Sequence, residues 1–291
     1  MSHLRDLLGR GEFVVTGEIA PPLGTDLSAM RTSVETIGPV CDAVNVTDNQ
    51  GASLHLSSLA ASRVVLEMGH EPIFQQTCRD RNRLALQSDM LAAWTLGLTN
   101  LLAVTGDDPR GGDHPEAKGV FDLDSTQLAQ VATGFNEGHD MKGRPLKGAT
   151  DFFIGAAMFP EAEPWDVQRA RIEEKIAAGA RFFQTQAIFD LDKFARATEL
   201  AHAHGAKVIA GILVLRSPRV IKFINERLAG LMVPSHIAAR IERAEDAAEE
   251  AVVLATEQAV ALRGLADGIH IMALGLDTAV PRIVRDAGIR S

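Results

Sequence analysis

Two acidic residues stand at the ends of apolar runs, where a carboxyl group could transfer a proton or stabilise a positive charge. Glu18 comes near the end of the run EFVVTGEI and precedes Ala-Pro-Pro, and Asp107 follows the run NLLAVTG. Burial disfavours the charged form of a carboxyl group, so Glu18 could hold a proton near neutral pH and act as a general acid. A glutamate held in a structural salt bridge is the alternative interpretation.

The two neighbouring aspartates of LLAVTGDDP, Asp107 and Asp108, have different expected roles. Gly-Asp-Asp-Pro is typical of turns, so either carboxylate could simply cap the turn that follows an apolar strand. This structural interpretation suits Asp108, which directly precedes Pro109. Asp107 lies nearer the end of the strand, and we expect it to face a bound ligand.

The elements that must position these carboxylates follow from a repeated pattern: a β-rich run, a turn, and a segment with apolar residues at helical spacing. Strands that alternate with helices imply parallel strands joined by right-handed crossovers. Eight such runs predict an α/β fold, a (β/α)8 TIM barrel formed as one domain over residues 1–291. An open, doubly wound sheet is the alternative, but it would usually place a glycine-rich phosphate loop after the first strand, where this chain has GEIAPP. The predicted strands are 12–19, 42–47, 72–77, 100–105, 152–158, 181–188, 207–214 and 268–274.

Two connections are longer than the regular unit. Residues 106–123 form a loop rich in Gly, Pro and Asp after the fourth strand, and residues 215–267 contain extra helix before the eighth strand. The charged part of this extra helix, IAARIERAEDAAEEAVVLATEQAVAL, reads as a solvated amphipathic helix, with a subunit contact as the alternative. The first 13 residues predict a short amphipathic helix that ends at Gly11.

Composition excludes several classes of function. The chain has 291 residues and a net charge of −9, so it lacks the basic excess that a general nucleic-acid binder needs. Cys41 and Cys78 are too few for a disulfide framework, and no histidine or cysteine pair shows metal-ligand spacing. No signal peptide and no long apolar segment is recognised. We therefore expect a cytoplasmic protein with no metal, no membrane association and no nucleic-acid partner.

In a TIM barrel the active site lies at the carboxyl ends of the strands, which gives weight to polar residues there. The segment TCRDRNR, residues 77–83, follows the third strand and predicts a helix that begins with Asp80 as its N-cap. We expect its three arginines to be solvated, with Arg79 near enough to the barrel mouth to meet an anion. Further polar candidates at the strand ends are Thr47, Gln75, Thr105 and Gln186.

With GEIAPP, VNVTDN, QQTC, VTGD, FPEAEP and TQAIFD in this order, the chain resembles the methylenetetrahydrofolate reductase family over residues 12–275. The segments VTDNQGA, TCRDRNRLALQSD and GDHPEAK make it similar to the short bacterial branch of that family. The resemblance implies a flavoprotein oxidoreductase of one-carbon metabolism and methionine biosynthesis. Such an enzyme reduces 5,10-methylenetetrahydrofolate to 5-methyltetrahydrofolate with FAD as cofactor.

The resemblance also implies roles for individual residues. Glu18 matches the family's general acid, which opens the imidazolidine ring of the folate to a reactive iminium. Asp107 matches the aspartate that lies near the flavin's pyrimidine edge and the pterin, and Gln186 matches a pterin contact. Thr47, Gly106 and Lys175 match flavin-contacting positions. The remaining cofactor-binding positions implied are Gln75, Val104, Thr105, Phe121 and Phe159.

Several positions depart from the family pattern. Gln75 stands where the family has His, Thr105 where it has Arg, and Phe121 and Phe159 where it has Tyr. Other departures are Glu163 in place of a His, and Gly275-Leu276 in place of Asn-Arg. These changes leave open whether the flavin is FAD or FMN and whether the electron donor is NAD(P)H or a partner protein. They also motivate one alternative function, a flavin-poor subunit that acts with a partner protein. Oxidation of methyltetrahydrofolate in the reverse direction is a separate alternative. A homo-oligomer in which one barrel face is buried is a further expectation.

Overall fold

The eight predicted strands form a closed parallel barrel in which each strand pairs with the next and β8 pairs with β1. The computed structural model describes residues 2–227 and 231–290. Every strand lies within two residues of its predicted bounds, so the (β/α)8 prediction is confirmed. The strands are β1 (Val14–Ile19), β2 (Ala43–Val46), β3 (Pro72–Thr77), β4 (Asn100–Val104), β5 (Phe153–Met158), β6 (Phe182–Ala187), β7 (Lys207–Leu213) and β8 (Gly268–Met272).

Helices surround the barrel, and the extra helical segment falls before β8 as predicted. Its three helices, α8 to α10, take the place of a single crossover between β7 and β8. The helices are α1 (His3–Gly9), α2 (Ser28–Ile37), α3 (Ser58–Glu67), α4 (Arg83–Thr95), α5 (Ser125–Asn136), α6 (Trp165–Ala177), α7 (Leu191–Ala203), α8 (Pro218–Arg227), α9 (Ser235–Arg243), α10 (Ala247–Leu262) and α11 (Ala279–Asp286).

The charged stretch 237–262 is two helices rather than one. Helix α9 ends at Arg243, and Asp246 starts α10 by accepting hydrogen bonds from the amides of Ala248 and Glu249. An aspartate makes a good N-cap because its carboxylate satisfies amides that have no partner in the first turn. Helix α10 buries Ala255 and Leu262 on its inner face but exposes Val253 and Val260, so its amphipathic character is weaker than predicted. The subunit contact remains a prediction.

Helix α1 closes the amino-terminal end of the barrel. Its Leu4, Leu7 and Leu8 pack into one buried cluster with side chains from the barrel strands. Ser2 caps the helix and donates a hydrogen bond to Asn100 at 2.6 Å, which ties α1 to the start of β4. The strand residues of this cluster are Val14, Ala43, Ile73, Leu102, Phe153, Phe182 and Ile209.

The buried cluster that α1 forms with the strand residues is the apolar floor of the barrel. Above this floor, the inside of the barrel becomes polar. Side chains two positions apart on a strand point to the same face. The residues two and four positions after a floor residue therefore also point inward. Thr16 and Glu18 lie above Val14 on β1, and Asn45 lies above Ala43 on β2. The other inward polar residues are Gln75, Gln184 and His270. A site at the open, carboxyl end of the barrel therefore begins inside the barrel itself.

None of the helices in the described ranges is both long and apolar enough to cross a membrane.

Replacing Leu8 by Ala should lower the free energy of unfolding by roughly 2–5 kcal/mol, because it opens a cavity beneath the barrel. Leu8 is 1% exposed, whereas Leu84 on α4 is 73% exposed. The same replacement at Leu84 should change the free energy by less than about 0.5 kcal/mol. Urea unfolding measures both, and equal effects at the two positions would show that α1 does not close the barrel.

Candidate active site

Glu18 stands at the carboxyl end of β1, half-buried, with its side chain 22% exposed. Its Oε2 lies 3.4 Å from Nε2 of His270, which comes from the neighbouring strand β8 and is fully buried. No lysine or arginine in the described part of the chain pairs with Glu18, so a salt bridge to such a residue does not account for it. The carboxyl group is placed where a ligand entering the barrel mouth could reach it.

The two aspartates after β4 differ as the sequence predicts. Asp108 caps the turn Pro109–Gly111 by accepting a hydrogen bond from the Arg110 amide at 2.9 Å, and it pairs with the Arg110 guanidinium. Hydrogen bonds from the Arg110 side chain and backbone lower the pKa of Asp108 to about 2. The turn-capping role of Asp108 is thus confirmed.

Asp107 points to a different element. It is exposed, and its Oδ2 accepts a hydrogen bond from the Gly51 amide at 3.2 Å, across the mouth from β4 to the loop after β2. No arginine or lysine in the described residues neutralises it. Asp107 therefore keeps a negative charge at the rim that a cationic ligand could use.

Gly106 lets the loop after β4 lie against the end of β3. Its φ of +95° falls in the left-handed region, and a Cβ there would come within 2.9 Å of the Arg79 Cβ. Only glycine meets both conditions without strain. Thr105 is exposed, and its hydroxyl accepts a hydrogen bond from the Ser125 amide at the start of α5. The Thr105 side chain therefore supports α5, and its predicted contact with a cofactor stays a prediction.

Lys175 on α6 brings a cation to β5. Its Nζ donates a hydrogen bond to the Ala157 carbonyl at 2.7 Å. Burial lowers the pKa of Lys175 to about 8, and nearby Arg171 adds to the shift while Asp124 opposes it. A half-buried ammonium group whose hydrogen-bond partner is a carbonyl is suited to receive an anionic group of a ligand.

Gln186 lies within a bulge of β6 that the sequence did not reveal. The register between β6 and β7 shifts between Gln184 and Ala187, and the Thr185 hydroxyl bonds to the Gln186 carbonyl at 2.7 Å. The bulge packs against Gly211, where a Cβ would lie 2.6 Å from the Gln186 carbonyl oxygen and collide with it. A bulge re-aims side chains, and the Gln186 side chain is exposed next to buried neighbours.

The other predicted site residues lie on the same end of the barrel with different surroundings. Thr47 is buried, and its hydroxyl donates to the Ile19 carbonyl at 3.4 Å, so it joins β2 to β1. Gln75 and Val104 are half-buried at the ends of β3 and β4, and Phe159 is half-buried after β5. Phe121 is 41% exposed and lines a cavity of about 330 Å³ within the loop after β4.

The segment after β3 corrects two predictions. Asn82, not Asp80, caps α4, since its side chain accepts hydrogen bonds from the Leu84 and Ala85 amides. Asp80 instead binds the Arg79 guanidinium, with Nε to Oδ1 at 2.7 Å. Asp80 sits two positions too early in the chain to reach those amides.

Arg79 is buried and Arg81 is half-buried, so neither is solvated as predicted. Arg79 is 2% exposed, and its Nη1 is a buried donor without a hydrogen-bond partner in the described residues. Arg81 binds Asp48, whose carboxylate is fully buried and also accepts from the amide and hydroxyl of Thr77. Only Arg83 of the three is half exposed, and it pairs with Asp122. The guanidinium groups of Arg79 and Arg81 thus point inward, and the Arg81–Asp48 pair joins the end of β2 to the segment after β3.

Three polar residues lie inside the barrel, and sequence reasoning gave none of them a role in the site. Asn45, Gln184 and His270 are buried and carry side-chain atoms that lack a hydrogen-bond partner. The available signal was a polar residue inside an apolar run, two positions before Thr47 and Gln186 in the first two cases. The unpartnered atoms lie beneath the candidate residues, so the site extends into the barrel. Among the described ranges, no three His, Cys, Asp or Glu side chains form a group that could hold a metal ion.

Comparison with known proteins gives one family. The family model described as methylenetetrahydrofolate reductase matches residues 3–288. Methylenetetrahydrofolate reductase 2 of Saccharomyces cerevisiae is 26% identical over 254 residues, which cover 81% of this chain and 40% of that protein. The 5,10-methylenetetrahydrofolate reductase of Salmonella typhimurium is 24% identical over 251 residues, which cover 82% of this chain and 77% of that protein. The chain thus spans less than half the length of the yeast relative.

A solved structure supports the same architecture. An uncharacterized protein from Clostridium thermocellum that binds two copies of 5-methyl-5,6,7,8-tetrahydrofolic acid superposes with a TM-score of 0.69. The match covers 99% of this chain and 100% of that chain at 14% identity. At this level of identity the similarity establishes the fold.

Replacing Lys175 by Met is expected to stabilise the protein near neutral pH. The folded pKa of about 8 lies below the ordinary value of 10.5, so the folded protein holds a charge that its surroundings disfavour. This cost is complete below about pH 8 and disappears as the pH rises toward the unfolded pKa. We expect a gain on the order of 1 kcal/mol at about pH 7 that shrinks at about pH 10.

Urea unfolding of the ligand-free protein at the two pH values measures this gain. Lys142→Met is the matched control, because Lys142 is exposed. A gain of equal size in the control, or one that does not change with pH, would contradict the burial of the Lys175 ammonium group.

Proposed function

The chain belongs to the methylenetetrahydrofolate reductase family, and from this we propose that it catalyses the flavin-dependent reduction of 5,10-methylenetetrahydrofolate to 5-methyltetrahydrofolate. The observation that carries the proposal is Glu18, a half-buried carboxyl group at the open end of the barrel. In the described residues it has no lysine or arginine partner, as a group that must give and regain a proton requires.

Glu18 is the general acid of this reaction. Its carboxyl group gives a proton to the folate nitrogen that leaves when the imidazolidine ring opens, and the product of that step is a cationic iminium. A positioned acid of this kind contributes typically about 10²–10⁴-fold to the rate. The half-buried position keeps the proton-bearing group close to the ligand and partly away from water.

Asp107 and Gln186 orient and stabilise the opened folate. Asp107 carries an unneutralised negative charge at the rim, which favours a cation formed nearby. Gln186 presents an amide that can both donate and accept, which suits the mixed donors and acceptors of a pterin ring. The Gln186 side chain is exposed beside the bulge in β6, which supports this role.

The residues at the mouth fit a flavin. The left-handed Gly106 packs against Arg79, where a Cβ would collide, and so holds the end of β4 beside the strand ends that a planar ring would meet. Lys175 supplies a cation for the electron-rich or phosphate part of the cofactor. Thr47, Gln75 and Val104 lie at the ends of β2, β3 and β4, where they would line the same site. When bound, the flavin supplies the hydride that converts the methylene carbon to a methyl group. We propose FAD, with FMN as the alternative.

A reduced folate is the ligand class that the comparisons support. The Clostridium thermocellum protein of the same fold binds 5-methyl-5,6,7,8-tetrahydrofolic acid. A barrel of this fold can therefore accept that compound, which is the product of the proposed reaction. The electron donor is NAD(P)H or a partner protein, and the proposed place of action is the cytoplasm.

Glu18→Gln tests the proposal. The variant should still bind flavin and accept electrons, but its folate turnover should fall about 10²–10⁴-fold, because glutamine cannot give up a proton. The measurement is an anaerobic stopped-flow record of flavin absorbance after photoreduced protein is mixed with 5,10-methylenetetrahydrofolate. Acid release of the cofactor from the wild type identifies it as FAD or FMN.

Two results would contradict this proposal. A purified protein that shows no flavin bands, even after FAD or FMN is added, would favour the flavin-poor subunit. Unchanged folate reduction in Glu18→Gln would remove Glu18 from its assigned role. Turnover measured from methyltetrahydrofolate with an artificial electron acceptor tests the reverse direction.

Asp107→Asn and Asp108→Asn should behave differently in the same assay. Loss of the Asp107 charge should slow folate reduction at least about tenfold, because it removes the electrostatic support of the cation. The Asp108 variant should keep near-normal turnover, since that carboxylate serves a turn with Arg110. Equal and mild effects would assign both aspartates to the turn.

A further inference from the structure

Arg79 joins three neighbouring loops at the barrel mouth. Its side chain is 2% exposed, and its Nε and Nη2 donate to the two carboxylate oxygens of Asp80, each at 2.7 Å. Nη2 also donates to the Asn49 carbonyl at 3.0 Å, in the loop after β2. The Arg79 carbonyl accepts a hydrogen bond from the Val120 amide at 2.6 Å, in the loop after β4. One buried residue thus connects the loops that follow β2, β3 and β4.

Asn49 depends on the Arg79–Asp80 pair for its conformation. Its backbone lies in the left-handed region, with φ 47° and ψ 52°, which a residue with a side chain adopts only at a cost. Arg79 holds its carbonyl, and Asp80 accepts a hydrogen bond from its side-chain amide at 3.2 Å. Burial alone would raise the pKa of Asp80, but hydrogen bonds from Arg79 and Asn49 lower it below its ordinary value. The charged Asp80 and Arg79 therefore hold Asn49 at two points.

Asn49 in turn sets the place of the Gly51 amide. The short turn Gln50–Ala52 begins directly after Asn49, so the backbone angles of Asn49 decide where the turn points its amides. The Gly51 amide donates to Oδ2 of Asp107 at 3.2 Å. Asp107 is exposed and has no lysine or arginine partner in the described ranges, so this hydrogen bond is what holds its carboxylate in place.

Arg79 also holds the other side of this contact. Gly106 directly precedes Asp107, and a Cβ on Gly106 would lie 2.9 Å from the Arg79 Cβ and 3.6 Å from its Nη1. Nη1 is buried and has no hydrogen-bond partner in the described part of the chain, so the guanidinium is held through Nε and Nη2 alone. Arg79 therefore acts on both the loop that donates to the Asp107 carboxylate and the loop that carries it.

We infer that Arg79 is a positioning residue that fixes the Asp107 carboxylate at the rim of the barrel. It acts through Asn49 on the Gly51 amide, and by direct packing on the backbone before Asp107. The inference rests on the proposed function of Asp107, which favours the cation formed from the folate. The attraction between two charges falls with their distance, and it supports a reaction most when the charged group is in place beforehand.

Arg79→Met tests the inference, because methionine is a flexible apolar side chain that can fill the space without the guanidinium fork. Folate-dependent flavin reoxidation at saturating folate should fall about three- to tenfold, as for residues coupled within one hydrogen-bond network. Folate affinity should change less than this, since the cation forms only after folate binds. Arg79→Lys keeps the charge but not the fork, so it should share the loss, and a wild-type rate in Arg79→Lys would contradict the inference.

Arg144→Gln is the matched control. Arg144 is exposed and pairs with Asp140 in the loop between α5 and β5, at the opposite end of the barrel. This variant also loses an arginine–aspartate pair, but it should keep the wild-type rate.

A double-mutant cycle separates positioning from a general loss of structure. If Arg79 works through Asp107, Arg79→Met should slow reoxidation less than about twofold in the Asp107→Asn background, where the charge is already absent. Equal slowing in the two backgrounds would overturn the inference.

A second measurement needs neither flavin nor turnover. In ¹⁵N-glycine-labelled protein, the Gly51 amide resonance, assigned from its absence in Gly51→Ala, reports the hydrogen bond to Asp107. Asp107→Asn removes the charged acceptor and should shift this resonance. Arg79→Met should shift it in the same direction, whereas Arg144→Gln should leave it in place. Arg79→Lys serves for the same comparison if Arg79→Met fails to fold.

The outcomes separate the proposed function from the positioning role. If photoreduced wild type is not reoxidised by 5,10-methylenetetrahydrofolate, the proposed function fails, while the Gly51 resonance still tests whether Arg79 holds Asp107. If the wild type turns over and the Gly51 resonance of the Arg79 variants stays at its wild-type position, the positioning role is wrong although the function stands.

Discussion

Inside the barrel, the side chains change from apolar at the amino-terminal end to polar at the carboxyl end, and the site depends on this change. The apolar floor, sealed by Leu4, Leu7 and Leu8 of α1, supplies buried area that stabilises the fold. Such a floor also excludes water from below. Polar groups that would be costly in an ordinary core can then stand above it, next to an open mouth where a ligand can satisfy them.

The mouth keeps its shape through buried charges on the strand ends. Asp48 accepts hydrogen bonds from Thr77 and Arg81, which fastens the end of β2 to β3 and the loop that follows it. Removing one partner of such a buried pair typically costs about 3–5 kcal/mol, because the other charge is left uncompensated. The ends of β2 and β3 therefore form a stiff wall, against which Gly106 and Asp107 of the next loop are placed.

The surroundings of Glu18 and Asp107 give these two carboxyl groups different chemistry. Glu18 faces the His270 imidazole and the barrel interior, so it is suited to move a proton. Asp107 is exposed at the rim and held by one backbone amide, so it is suited to stay charged. Environments that separate two carboxyl groups in this way commonly divide an acid from an electrostatic partner. The departures at Thr105 and Phe121 lie at the end of β4 and in the loop that follows it, on the same side of the mouth as Asp107.

The sequence by itself determined the fold and most of the strand-end candidates. Strand runs, helical spacing and turn residues are local signals, and they predicted Glu18, Thr47 and Gln186 at one end of a barrel. The separate roles of Asp107 and Asp108 also followed from local chemistry, because a residue before proline in a Gly-Asp-Asp-Pro turn is a natural cap. These features depend on spacing of a few residues, which a single chain displays directly.

Only the tertiary structure decided which polar groups meet. Thr16 and His270 are 254 residues apart, and their contact exists because the barrel closes β8 onto β1. The inward turn of Arg79 and Arg81, the choice of Asn82 over Asp80 as helix cap, and the bulge at Gln186 likewise depend on neighbouring strands and loops. Pairing across a closed sheet sets these contacts, and no local pattern in the sequence records the register of strands far apart in the chain.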